Sequence, residues 1–264
     1  MTTDLAAPPV LETRDRAVLT LTLNRPQRLN AITDDLLDSL TGSLSAAEED
    51  GSIRAIVLTG AGRAFCSGQD LKAAAEEGGS VDIRAKLRDH YGPAIRALRT
   101  VSKPVVAAIN GPAAGAGFSL ALAADLRIAA ESATFVQAFV RIGLIPDASS
   151  TYLLPRVIGP ARAAEMMLLG DTVDAERAAE IGLVSRVLPD AELLTQAHEL
   201  AARLAAGPRS IGYIKEALRL SPDNDFDVQL QVEERLQEES TKTADFFEGV
   251  AAFIEKRPAR FSGA

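Results

Sequence analysis
A chain of 264 residues with 47% hydrophobic content can bury a large core, as one sizeable domain or two. Its formal charge of −8 and pI near 5.0 exclude a general nucleic-acid binder, which is ordinarily basic. One cysteine excludes an internal disulfide framework, and neither a signal-like apolar core nor a run of about 18 apolar residues occurs, so the expectation is a soluble cytoplasmic protein with no membrane and no nucleic-acid partner.

The alternation Val18-Leu19-Thr20-Leu21-Thr22-Leu23 predicts a strand, stopped by Asn24-Arg25-Pro26. Thr33 followed by Asp34 and Asp35 predicts a capped helix to about Glu49. Residues 54–59 read as a second strand, ended by Gly60-Ala61-Gly62. Amphipathic helices follow over 69–77 and 81–100, separated by Gly78-Gly79-Ser80. Next come a strand over 104–109, a helix over 116–123 and a strand over 125–130. Strands alternating with helices imply βαβ units with right-handed crossovers. From about residue 148 the pattern is almost wholly helical and ends in a long charged helix near 225–255. The expected organisation is an α/β core over 1–195 and a helical C-terminal region over 196–264.

Residues 104–150 carry the chemistry. A strand leads into Gly115-Ala116-Gly117 at a helix start, where free N–H groups and the helix dipole favour a negatively charged ligand oxygen. A lone acid, Asp147, follows in the next loop and is suited to moving protons at a carbon that such an oxygen activates. Together they read as a site for stabilising an enolate. Two plainer readings stay open: the glycines permit tight helix–strand packing, and Asp147 caps the following ASSTYLLPRV helix.

Beyond this pattern, NRPQRLNAI at 24–32, AFCSGQDL at 64–71, KPVVAAINGPAAGAG at 103–117 and ADLRIAAESATF at 124–135 resemble the crotonase (enoyl-CoA hydratase/isomerase) superfamily. The resemblance continues through IGLIPD at 142–147, AAEIGLVSRVLP at 178–189 and EGVAAFIEKRPARF at 248–261, and so covers nearly the whole chain in order. It implies an α/β spiral of ββα units with a helical C-terminal trimerisation region. It also implies acyl-CoA thioester substrates, no cofactor beyond the CoA they carry, and a homo-oligomer, a trimer or a dimer of trimers. Two backbone donors, from Gln69 and Ala116, would hold the thioester oxyanion. Losing one such donor typically costs about a hundred- to a thousandfold in rate. The substrate-binding positions implied are Arg28, Ala64, Cys66, Ser67, Gly68, Asp70, Leu71, Tyr91, Gly115, Ser119, Phe139 and Leu144.

The departures from the family pattern carry information of their own. Hydratases of this family use two glutamates, and the corresponding positions here are Ser119 and Phe139. Water addition is greatly helped by two carboxylates, which these residues do not supply. The acid at Asp147 resembles the isomerase branch, most closely one acting on ring-1,2-epoxyphenylacetyl-CoA; an isomerase needs only one carboxylate to shuttle a proton. Phe139, Leu144 and Ile145 are expected to raise its pKa by desolvation. Cys66 reads as a small packed residue, and His90 and His198 are the only histidines, so a histidine triad is not expected. Asp70 and Asp125 read as capping or pairing residues, while Arg25, Arg28 and Lys256 are candidates for CoA phosphates. No cluster has metal-ligand spacing. A weak enoyl-CoA hydratase and a non-catalytic acyl-CoA-binding or assembly subunit are the competing readings.

Overall fold
A computed structural model describes residues 7–71 and 82–264. The segment expected to hold the 69–77 helix and the Gly78-Gly79-Ser80 break therefore lies almost entirely outside the described residues.

Six strands make the larger sheet: β1 (Val10–Asp15), β2 (Val18–Leu23), β3 (Ala55–Gly60), β4 (Val105–Ile109), β6 (Leu126–Ala130) and β9 (Arg186–Leu188), side by side in that order. The first pair is antiparallel and every later pair parallel. A smaller sheet joins β5 (Ala113–Ala114), β7 (Thr134–Val136) and β8 (Thr172–Asp174). The chain thus places β4 and β6 in one sheet and their successors β5 and β7 in the other, which gives the expected spiral of strand pairs.

Strand alternation explains the two layers of packing. Ile56 and Leu58 of β3 face the larger core cluster, with Leu36, Leu37, Leu40 and Leu44 of α1 (Asp34–Glu49). Ala55 and Val57 face the other side, where Leu193, Ala197, Ala201 and Ala205 of α8 (Leu193–Ala205) lie against the sheet. Three alanines at four-residue spacing leave room for close approach of helix to strands. This helix runs across the boundary expected at 195/196, so the core extends to its end. Thr33 caps α1 as expected, its hydroxyl accepting the Leu36 N–H.

Further differences from the sequence reading have local causes. The helix expected over 81–100 is α2 (Ile83–Lys86), a π-helical turn over Leu87–Tyr91, and α3 (Gly92–Thr100). Pro93 has no N–H to donate into a regular ladder, and the Gly92 N–H bonds back to Leu87 O, five residues earlier. After residue 148, β8 and β9 interrupt the helices; three residues each are too few to show a period. The long helix near 225–255 is two, α10 (Phe226–Thr241) and α11 (Ala244–Glu255), because Thr243 caps the second. The remaining helices are α4 (Ala116–Ala123), α5 (Ser150–Ile158), α6 (Pro160–Leu169), α7 (Ala175–Glu180) and α9 (Ser210–Leu220).

The C-terminal helices are tied to the core by polar contacts at the N-terminal edge of the sheet. Lys215 of α9 is buried, ion-paired with Asp125 at 2.7 Å and bonded to the Leu98 and Lys103 carbonyls. Asp125 also accepts the Val105 N–H, which bears out its structural reading. Phe226, Val228, Leu230, Phe246, Phe247, Val250 and Phe253 are exposed, whereas Leu236 is buried. A groove of about 940 Å³ runs between α9, α10 and α11. No helix among the described residues is long and apolar enough to cross a membrane.

Candidate active site
Parallel strands deliver β3 and β4 to one edge of the sheet, and the loops after them build the oxyanion half of the site. Residues 64–69 run beside β5 through a Cys66–Ala113 bridge, then beside Ile32 through an Ile32–Gln69 bridge. In the second bridge Gly68 O accepts the Ile32 N–H and Asp70 donates to Ile32 O. The peptide N–H of Gln69 therefore points to the opposite side, and among the described residues it has no protein acceptor. Ala116 is the first residue of α4, so its N–H also lacks an intrahelical partner.

Gly68 makes the approach of these two segments possible. Its φ is +87°, and a β-carbon there would lie 2.8 Å from Ala114 O and 3.5 Å from Ala116 N. Gly117 is equally constrained, since a β-carbon would meet Cys66 O at 2.4 Å and Cys66 Sγ at 2.6 Å. Packing and donor presentation, the two readings of the glycine turn, thus occur at adjacent residues. One outward N–H at a helix start and one on a neighbouring bridged segment are the kind of donors that can stabilise an oxyanion.

Asp147 supplies the other half. It is partly buried at the end of the loop that follows the 3-10 turn Ala138–Ile142. Its Oδ1 is buried and without a hydrogen-bond partner among the described residues. Burial alone pushes its pKa up to about 6, which brings the carboxyl close to neutral pH. Asp147 is not a side-chain cap of α5: that helix has no side-chain cap bond, and only the backbone carbonyl of Asp147 accepts the Ser150 N–H. Ala148 and Ser149 follow with φ of +47° and +71°. Non-glycine residues in such conformations cost of order 1–3 kcal/mol each and are concentrated at functional sites.

The positions expected to bear glutamates close the site differently. Phe139 is buried, and its ring lies 3.9 Å from where a β-carbon on Gly115 would stand, beside the oxyanion turn. Ser119 is fully buried, its hydroxyl within bonding distance of Gly115 O, Asp147 O and Ser150 Oγ; it faces the acid loop from behind. Leu144 and Ile145 are 48% and 79% exposed, so they do not enclose Asp147 within one chain as expected; Phe139 is the one of the three that is buried.

Tyr91, at the end of the π-turn, is buried and its hydroxyl donates to the Gln69 side-chain carbonyl. Burial and the charge of Asp147 push its phenol above the usual value, so it remains a neutral donor. The π-turn thus brings Tyr91 to the residue whose backbone N–H is the candidate oxyanion donor. Asp70 is buried and paired with Arg25 at 2.8 Å, and the same guanidinium donates to Ala31 O. Arg25 is accordingly a partly buried cation with a structural ion pair. Arg28 is exposed, and its carbonyl accepts from the Ser67 hydroxyl at 3.4 Å. Leu71 is exposed at the edge of the described segment, and Lys256 is exposed at the end of α11.

Ala64 and Cys66 are buried and present backbone rather than side chain. Ala64 O accepts from the Asn30 side chain, and the Cys66 thiol donates to Asn30 O. Burial pushes that thiol up to about 12, so it is inert, as the sequence suggested. His90 pairs with Asp38 on the surface side of α1, and His198 meets Thr20 on the opposite face of the sheet. Among the described residues no group of His, Cys, Asp and Glu could hold a metal ion. Asn30 was not singled out by sequence reasoning, yet its side chain joins Ala61 O, Ala64 O and Phe65 O. Gln137 was also missed. Each is a polar residue in a sequence that gives no sign of its burial.

Comparison with known proteins gives the family. The profile of the Enoyl-CoA hydratase/isomerase family matches residues 13–264. The 1,2-epoxyphenylacetyl-CoA isomerase of Escherichia coli is 44% identical over 96% of this chain and 98% of its own length. A protein named probable enoyl-CoA hydratase from Rhodobacter capsulatus is 48% identical over 92% of this chain and 93% of its own. Among solved structures, an enoyl-CoA hydratase from Bacillus anthracis superposes with a TM-score of 0.90 at 34% identity, covering 97% of this chain and all of its own.

Proposed function
The chain belongs to the enoyl-CoA hydratase/isomerase family, and from that premise we propose that it is an acyl-CoA isomerase working through a thioester enolate. The thioester carbonyl oxygen accepts from the Gln69 and Ala116 N–H groups. Asp147, as carboxylate, removes a proton from Cα, and the electron pair moves onto the carbonyl oxygen. For a 3-enoyl-CoA the resulting dienolate is reprotonated at Cγ by the same carboxyl, which leaves the 2-enoyl-CoA and restores the base. One acid is sufficient because the proton taken is the proton returned. Donors aimed at the oxyanion contribute most of the acceleration, and the single acid about a hundred- to ten-thousandfold.

The observation that carries this reading is the unpaired, partly buried carboxyl of Asp147, with its pKa raised to about 6 and no second acid at Ser119 or Phe139. The substrate we favour is a ring-1,2-epoxyphenylacetyl-CoA opening to its oxepin-CoA, alongside 3-enoyl-CoA. The likeness to the 1,2-epoxyphenylacetyl-CoA isomerase supports it, as does the buried Tyr91 phenol beside Gln69. No cofactor is needed beyond the CoA of the substrate. A cytoplasmic setting suits the single, fully buried thiol. Assembly into trimers, or trimers paired as hexamers, would cover the exposed aromatic residues of α10 and α11.

The similarity to proteins named hydratases favours hydration as the second reading. Incubating the protein with 3-hexenoyl-CoA and with crotonyl-CoA, and following products by mass, separates the two. Isomerisation of the first with hydration of the second slower by orders of magnitude supports the proposal. Hydration at a typical enzymic turnover of about 10 per second overturns it.

A further inference from the structure
The acid of the proposed isomerase is held by a buried chain of hydroxyls. Ser119 Oγ lies 2.7 Å from Ser150 Oγ, 3.2 Å from Asp147 O and 3.3 Å from Gly115 O. Ser150 Oγ in turn accepts from Gln137 Nε2 at 3.2 Å. All three side chains are fully shielded from solvent.

Donor arithmetic orients the chain. Gln137 occupies one acceptor site of Ser150, whose single proton is then free for Ser119. Ser119 keeps one proton for two carbonyls, that of Gly115 at the oxyanion turn and that of Asp147 in the acid loop. One hydroxyl therefore bridges the two halves of the site. Hydrogen bonds in such a chain polarise one another and strengthen the last donor. The bond falls on the residue that immediately precedes the strained pair Ala148-Ser149. Without a tie at Asp147 O, nothing in the described contacts other than the Ser150 N–H holds that carbonyl.

We infer that Ser119 is a positioning residue, coupled through Ser150 to Gln137, which fixes the Asp147 loop against the oxyanion helix and keeps the acid out of water. The inference rests on the proposed isomerase reading for its consequence in rate, but its structural part stands without a substrate. It also assigns a role to the serine at a position where hydratases of the family carry a glutamate. A direct carboxylate there is replaced by a hydroxyl that aims the carboxylate of another loop.

The test uses Ser119→Ala in the full chain, with Ser150→Ala as a second and milder variant. Phenylacetyl-CoA affinity should stay within about twofold of wild type. Exchange of its Cα protons in deuterated water should fall about ten- to a hundredfold, with the acid limb of the pH profile moving from near 6 toward 4. A merely structural lesion would lower the rate and leave the limb in place, and that result overturns the inference. A substrate-free arm compares thermal midpoints of Asp147→Asn with its parent, in the wild-type and Ser119→Ala backgrounds. The asparagine should stabilise the wild type above pH 6 and do so much less once Ser119 is gone; equal stabilisation in both backgrounds overturns the inference. If wild type exchanges no Cα proton, the isomerase reading fails, and the substrate-free arm still decides whether Ser119 holds Asp147.

Discussion
In the proposed isomerase the two halves of the site would face the same thioester, and they are built on opposite principles. The proposed oxyanion half is backbone: N–H groups of Gln69 and Ala116, on segments that approach closely because Gly68 and Gly117 leave no room for a β-carbon. The acid half is one side chain, Asp147, carried on Ala148 and Ser149 in conformations that glycine would adopt more easily. The first half needs no titrating group and works at any pH at which the fold survives. The second depends on a carboxyl whose charged form its surroundings disfavour. Backbone donors are fixed by sterics, whereas a catalytic acid has to be both exposed enough to react and buried enough to be basic.

Removing the acid should have the largest effect. Asp147→Asn keeps shape and loses the base, so isomerisation should fall roughly a hundred- to ten-thousandfold with CoA-ester affinity little changed. Steady-state rates alongside calorimetric binding check this. Near-wild-type turnover would remove Asp147 from the mechanism.

Disturbing the backbone half should cost somewhat less. Gly68→Ala places a β-carbon 2.8 Å from Ala114 O on a backbone with φ of +87°, so the two donors must move apart. The expected loss is about a hundred- to a thousandfold in kcat, the usual worth of one oxyanion donor. The contrast with Asp147→Asn lies in pH dependence: Gly68→Ala should keep the acid limb at the wild-type position.

That limb is the third expectation. The base must be ionised, so kcat/KM should be flat above about pH 6 and fall about tenfold per unit below it. A limb at the ordinary carboxylate value near 4 would show that Asp147 is solvated in the working enzyme.

The smallest effect is on stability, and its sign follows from linkage. Asp147 binds its proton more tightly folded than unfolded, so its contribution to stability declines as pH rises from about 4 to about 6 and is constant above. Asp147→Asn should therefore raise the thermal midpoint at pH 8 and match wild type below about pH 4. Equal midpoints at both values would mean the carboxyl is not desolvated.

The two halves also differed in how far the sequence disclosed them. Gly68, Gly115 and Gly117 stand in small-residue runs after strands, and Asp147 is a lone acid in an apolar loop, so both cores of the proposed site were legible. What holds the acid was not. Ser119, Gln137 and Ser150 are ordinary polar residues, and only the fold shows that they are buried together. Asn30 escaped notice for the same reason, since its three carbonyl acceptors come from residues about thirty positions away. Among the elements, long or strongly alternating ones such as β2 and α1 matched closely. The three-residue β8 and β9 were missed because pairing, rather than period, makes them strands.

The central claim is that a thioester enolate forms here, held by two backbone donors and made by one acid. Phenylacetyl-CoA tests it most directly, because it offers acidic Cα protons and no double bond to transpose or hydrate. Incubated in deuterated water at pH 7.5 and followed by mass, it should gain Cα deuterium with wild type and about a hundredfold or more slowly with Asp147→Asn. Exchange that survives in Asp147→Asn, or tight binding by wild type with no exchange at all, would contradict the account.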